Sequence, residues 1–237
     1  MRERVGGRRR EGGGAMRIVS WNCGDGFQKK YHLLERFNAD VFVIQECRNP
    51  KKYNDSAFRK FSENHLWIGE NRGLGVFAKA KTQIASEVWG DFGLDYFLPC
   101  RIDNSFTLLA VWACNNYVED IFPFMKFHKS KLSNILILGD FNSNSCWDYK
   151  HGRRTHSGLV SEFKNCGIES IYHKQTGENF GQEKTPTFFM YRKQEKPYHI
   201  DYAFSDLSCR LTIEQNVEWL NYSDHVPLIV DLIEKPS

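Results

Sequence analysis

Short apolar runs recur along the chain, each closed by a polar or glycine-bearing turn. The pattern predicts strands at "RIVSWN" (17–22), "DVFVIQE" (40–46), "GVFAK" (75–79), "QIASEVW" (83–89) and "FTLLAVWA" (106–113). It continues with "NILILGD" (134–140), "PTFFMY" (186–191), "HIDYAF" (199–204) and "PLIVDL" (227–232). Several of these are apolar nearly throughout, as strands covered on both faces are, whereas "QIASEVW" alternates loosely like a half-exposed strand. A helical period shows in "KKYHLLERFN" (29–38), in "VEDIFPFMKFHK" (118–129), where Pro123 interrupts it, and in "THSGLVSEFKNC" (155–166). Strands outnumber helices and no internal repeat is present, so the expected architecture is an α/β sandwich with sheets inside and helices outside. Two polar stretches, 142–156 and 174–185, read as long loops, which in compact domains often carry function.

The chain has 237 residues, 41% hydrophobic and 14% aromatic, enough for a substantial core. Residues 1–15, "MRERVGGRRREGGGA", offer nothing to bury and read as a disordered Arg/Gly-rich tail, an expression remnant or a mis-assigned start. That segment also accounts for the formal charge of +3. Taking its five Arg and two Glu from the totals of 32 and 29 leaves 27 of each sign. Residues 16–237 are therefore expected to form a single, near-neutral domain, with no linker to divide them. A polyanion would have to be held by a local patch rather than by overall charge. Seven scattered cysteines, an odd number without a C-x-x-C pair, suggest neither a disulfide framework nor a structural zinc site, and fit a reducing cytoplasm. No run approaches the ~18 apolar residues of a membrane helix. Secretion and membrane insertion are not expected, and a monomer is.

The chemistry gathers at strand ends. "RIVSWN" ends in Asn22, "DVFVIQE" in Glu46 and "NILILGD" in Asp140, with Asn142 just beyond; "HIDYAF" carries Asp201 near its start, and "SDHVPLIV" places Asp224 and His225 just before its apolar run. If those ends converge on one rim, they make a pocket of carboxylates and amides around a single histidine. Oxygen donors without thiolates suit Mg²⁺, or Mn²⁺ in its place, and argue against zinc. Each position alone has a plainer reading: "GDFN" as a turn cap, Asn22 as a strand-end amide, "SD" as a turn opener, Asp201 as half of an ion pair. Their joint order is more specific than any member.

That order, "SWNC" (20–23), "VIQE" (43–46), "LGDFN" (138–142), "HIDYAF" (199–204) and "SDHVPL" (223–228), resembles the endonuclease/exonuclease/phosphatase superfamily. This superfamily includes deoxyribonuclease I, exonuclease III and abasic-site endonucleases. The resemblance runs from Ser20 to about Leu232. It implies a four-layered α/β sandwich of two packed mixed β-sheets with helices outside. It further implies Glu46 as principal Mg²⁺ ligand assisted by Asn22 and Asp224, Asp140 and Asn142 directing water and phosphate, and His225 beside the scissile phosphate, oriented by Asp201. The implied activity is metal-dependent phosphodiester hydrolysis by a nuclease, with DNA foremost. A phosphatase or phosphodiesterase for a small or lipid-linked phosphate, and a non-catalytic phosphate-binding module, are the alternatives. In "AVWACNNY" (110–117) the chain departs from the family: Trp112 stands where a tyrosine or histidine is usual, with Asn115 at the asparagine position. An indole can donate a hydrogen bond to phosphate but cannot exchange a proton there, and Trp112 has packing as its plainer role.

Basic side chains beside aromatics occur in "NSCWDYKHGRRTHSG" (144–158), with Lys150, His151, Arg153, Arg154 and His156 near Trp147 and Tyr149, and again in "YRKQEKPYH" (191–199). Both suit contact with nucleic acid, through phosphates and stacked bases. "ENRGLGVFAK" (70–79) lacks the full dinucleotide fingerprint, since its glycines precede a strand, but Arg72 is a candidate phosphate contact. Cys23 and Cys47, which flank proposed ligands, are expected to pack rather than react.

Overall fold

A computed structural model describes residues 16–233; the Arg/Gly-rich segment 1–15 lies outside the described residues. The first half of the chain lays down β1 (Arg17–Asn22), β2 (Val41–Cys47), β3 (His65–Gly69), β4 (Gly73–Ala78), β5 (Ile84–Ser86), β6 (Phe97–Ile102) and β7 (Phe106–Trp112). The second half adds β8 (Ile135–Asp140), β9 (Glu169–Ser170), β10 (Phe188–Phe189), β11 (Pro197–Tyr198), β12 (Asp201–Ser205), β13 (Cys209–Ile213) and β14 (Leu228–Leu232). Twelve of these form two six-stranded sheets, in the orders β13-β14-β1-β2-β4-β3 and β5-β6-β7-β8-β12-β9; β10 and β11 make a separate hairpin. Each large sheet is antiparallel except for one parallel pair, β1 with β2 and β7 with β8. Both are mixed sheets, as expected.

The residues that read as apolar throughout are those with two faces to bury. In β8, Leu136 and Leu138 point into the core between the sheets, while Ile135 and Ile137 point outward beneath helices. The inter-sheet core brings Ile18, Val43 and Val76 of one sheet against Leu108, Leu138 and Ala203 of the other. Outside the second sheet lie α2 (Val118–Phe127) and α3 (His156–Lys164), which bury Ile121, Phe124, Leu159 and Phe163. The first sheet is covered by α1 (Ser56–Phe61) through Phe58, by a 3₁₀ segment carrying Leu34, and by Trp219, which packs edge-on against Trp21 at 5.1 Å. A short α4 (Ile171–Thr176) precedes the long 178–187 loop and ends in Gly177 with φ +71°, the left-handed C-terminal cap that favours glycine.

Local outcomes differ from the sequence pattern where packing or caps decide. Residues 29–38 form 3₁₀ turns rather than an α-helix, ending at Asn38 with φ +49°. Pro123 is tolerated inside α2, and "QIASEVW" contributes only the three residues of β5. The 142–156 stretch contains a 3₁₀ turn (Ser145–Lys150) and leads into α3, where Thr155 accepts from the Gly158 amide as N-cap.

Candidate active site

The rim is built by strand direction. Asn22 and Glu46 end the parallel strands β1 and β2, Asp140 ends β8, Asp201 opens the antiparallel β12, and Asp224 and His225 precede the antiparallel β14. All six therefore reach the same edge of the sandwich. In the second sheet Asp140 pairs in register with Trp112 on one side and Asp201 on the other.

Two backbone devices place the carboxylates. A β-bulge between Gln45 and Cys47 leaves Glu46 unpaired with φ +59°, which swings its side chain out of the ladder. Gly139, at φ +150°, lies so close to the β7 backbone that a Cβ would collide with the Val111 carbonyl oxygen. Only glycine lets β8 deliver Asp140 at that approach.

The side chains form one hydrogen-bonded chain across both sheets. The Asn22 amide donates to Glu46 Oε1 at 3.2 Å and to Asp140 Oδ2 at 2.9 Å, and its oxygen accepts from the Gly24 amide. Asn142, in the left-handed region at φ +46°, donates its backbone N–H and its side-chain amide to Asp140 at 2.9 and 3.0 Å. His225 Nδ1 bonds Asp201 Oδ2 at 2.9 Å, and its Nε2 lies 3.8 Å from Asp140 Oδ2. Ligand atoms of Asp140, Asp201 and His225 all fall within 4.8 Å of one another. Asp224 adjoins this group, with Ser223 Oγ 3.4 Å from its carboxylate.

Electrostatics follow from burial. Asp140 is fully buried, and loss of solvent raises its pKa, a shift that His225 opposes and Asp201 reinforces. His225 is raised: burial disfavours its charge, but Asp201 and Asp140 together outweigh that penalty. The neighbouring carboxylates thus favour the charged His225 ring, with Nδ1 as the donor toward Asp201.

Sequence reasoning passed over the groups that hold these side chains still. Thr187 Oγ1 accepts from the amides of Ile200 and Asp201, both at 3.0 Å. Ser223 Oγ donates to the Asn22 carbonyl at 2.7 Å and accepts from the His225 amide at 3.1 Å, tying β14 to β1 at the rim. Phe188 packs 4.7 Å from the His225 ring. The serine inside "SDH" was visible as a turn former; nothing in the sequence linked Thr187 to Asp201.

The remaining candidates are spread out. Trp112 is buried, tilted against Tyr96 at 4.6 Å, in the inter-sheet core. Asn115 donates to Asp95 at 3.2 Å and has no hydrogen bond to the carboxylate group. Arg72 forms an ion pair with Glu46 Oε2, so it stands at the site's mouth. Arg153 is exposed and Arg154 reaches the Glu119 carbonyl on α2 at 3.3 Å; neither is bonded to the rim residues. His156, read from sequence as part of that basic loop, is fully buried, its Nδ1 2.8 Å from Ser143 Oγ. Cys23 and Cys47 are buried, and burial raises both thiols, Cys23 to about 12.

A two-sheet sandwich with carboxylates, amides and a His–Asp pair on one rim defines a hydrolase acting on phosphate esters. The model of the Endonuclease/Exonuclease/phosphatase family matches residues 19–225, and the chain belongs to that family. Its fold is similar to that of the 3′ phosphatase NExo from Neisseria bound to a product DNA hairpin, with 16% identity, 93% of this chain and 100% of that one covered, and a TM-score of 0.69. It is also similar to an AP endonuclease from Archaeoglobus fulgidus, with 13% identity, 92% and 100% coverage and a TM-score of 0.66. Among curated proteins no significant match is found. No helix among the described residues is long and apolar enough to cross a membrane.

Proposed function

We propose that this protein is a metal-dependent nuclease that hydrolyses phosphodiester bonds of DNA, with Mg²⁺ as its cofactor and Mn²⁺ as a substitute. The observation that carries the reading is the continuous chain Glu46–Asn22–Asp140–Asn142 meeting the His225–Asp201 pair at one rim.

The donor set fits a hard divalent cation. Glu46 and Asp224 are the half-buried carboxylates of the group, and Glu46 already carries a cation in the guanidinium of Arg72. Glu46, Asn22 and Asp224 would hold the ion. When bound, it would neutralise charge on the phosphate and polarise its oxygens. Asp140, buried beside Asn22 and Asn142, accepts a proton from water and aims it. Asn142 donates to a phosphate oxygen. His225, its ring kept protonated by the Asp201 carboxylate that its Nδ1–H faces, presents Nε2–H to the phosphate as donor.

The odd number of scattered cysteines, without a C-x-x-C pair, is what favours a reducing compartment such as the cytoplasm. The basic loops and the relatives that act on DNA support nucleic acid as substrate. The test is incubation with Mg²⁺, with and without EDTA, against plasmid, abasic-site duplex, single-stranded DNA, RNA and an aryl phosphodiester, beside Asp140→Ala. EDTA-sensitive cleavage of DNA by wild type alone is expected. Hydrolysis of the aryl ester only would move the function to small phosphates, and full activity of Asp140→Ala would overturn the assignment.

A further inference from the structure

The flanks of the site differ in charge. On the β14/β1 side, Lys30 Nζ is held by the carbonyls of Cys23, Asp25 and Tyr222 at 2.6–2.9 Å, and Arg192 donates to the carbonyls of Asn221 and Tyr222. Among the described residues neither cation is ion-paired with a carboxylate; both are held by backbone oxygens. Arg48 stands beside them, bidentate on Asp25.

The opposite flank is a groove of about 560 Å³ that opens where the β3–β4 turn faces the β5–β6 edge. It is bordered by Glu70, Glu87, Asp91 and Asp95, with Tyr96 and Asn115 toward the site. Among the described residues none of these four carboxylates forms an ion pair. Arg72, the cation nearest the turn, is committed to Glu46, and Asp95 accepts one N–H of the Asn115 amide. The strand order puts the flanks on opposite sides: β14 and β1 precede β2 in the first sheet, while β4 and β3 follow it, and β5 edges the second sheet beside β3.

We infer that the site accepts a polynucleotide from the Lys30/Arg192 flank only and cleaves at or next to a strand end, because a chain continuing past Asp140 would be laid over four unpaired carboxylates. Duplex DNA carries about one charge per 1.7 Å of axis, so a continuing strand would place several phosphates along that groove. Like charges set face to face select against a substrate rather than for one. The inference rests on the nuclease reading and adds the form of the substrate.

The experiment compares covalently closed circular DNA, linear duplexes and single strands labelled at the 3′ or the 5′ end, and an aryl phosphodiester, all with Mg²⁺. The proteins are wild type, Glu70→Lys/Asp91→Lys and the milder Glu70→Gln/Asp91→Asn, each with its melting curve recorded. Wild type is expected to release terminal products and to leave circles intact, and the labels identify which end enters. The lysine pair should raise the circle-to-end rate ratio roughly tenfold or more, the amide pair less, with aryl ester turnover unchanged. Nicking of circles by wild type as fast as end cleavage would overturn the inference while leaving the nuclease reading intact. A folded lysine variant with an unchanged ratio would do the same. Absence of all turnover, the aryl ester included, would remove both.

Discussion

Protonation of His156 should set much of the acid stability of this fold. The imidazole is fully buried at the start of α3, with rings of Tyr202 at 4.8 Å and Phe180 at 5.7 Å around it. Nδ1 meets Ser143 Oγ, and Nε2 has no hydrogen-bond partner. A charged ring there would leave a buried N–H⁺ unsatisfied, and burial pushes the pKa down to about 4, against partial relief from Asp148 and Glu183. In the unfolded chain the same group titrates near 6.5. Between about pH 6.5 and 4 the unfolded state therefore binds a proton that the folded state refuses, so stability falls as pH falls through that window. At ~1.4 kcal/mol per pKa unit the loss amounts to about 3 kcal/mol. Urea unfolding of wild type and His156→Asn at several pH values from 7.5 to 4 isolates the effect. The variant will be less stable at neutral pH because packing is lost, but its deficit should shrink by about 3 kcal/mol on acidification. A deficit constant across the range would refute the reasoning.

Asp201→Ala should lower kcat by roughly 10²-fold or more with little change in KM, since the carboxylate orients His225 rather than binding substrate; equal kcat would remove the pair from the mechanism. Arg72→Ala should tighten Mn²⁺ binding measured by calorimetry by about two- to fivefold, the worth of a half-exposed ion pair that a cation must displace, and weaker binding would show that Arg72 assists the metal. Gly139→Ala should cost on the order of 3 kcal/mol in urea unfolding, because its Cβ meets backbone rather than a yielding side chain; a variant as stable as wild type would mean that β7 and β8 are less closely apposed.

The parts of this molecule legible in its sequence are those set by local pattern. β8 stood out because both its faces are buried, and Asp140 because a carboxylate ends that run. β6, "FLPCRI", hid behind Pro99 and Arg101, and the edge strands β3 and β13 hid because exposed positions break their apolar pattern. The family order identified Asn22, Glu46, Asp201 and His225 as one group, and the structure brings them together through bonds spanning up to 201 residues. The pairing of Asn115 with Asp95 and of Arg72 with Glu46 was not legible, since each depends on a partner 20 or 26 residues away on another element. The basic 144–158 stretch misled at His156, where a buried pocket behind the loop outweighs its polar surroundings.

The Asn22 amide bonds a carboxylate from each sheet, so the reacting groups straddle the seam between two slabs. Alignment at the seam is governed by how well the hydrocarbon between the slabs is filled. Trimming a side chain deep in that filling, as in Leu138→Ala, should therefore misalign the rim while secondary structure stays intact. Activity in this architecture works as a gauge of core packing, and turnover should fail at temperatures where circular dichroism still reports a folded chain.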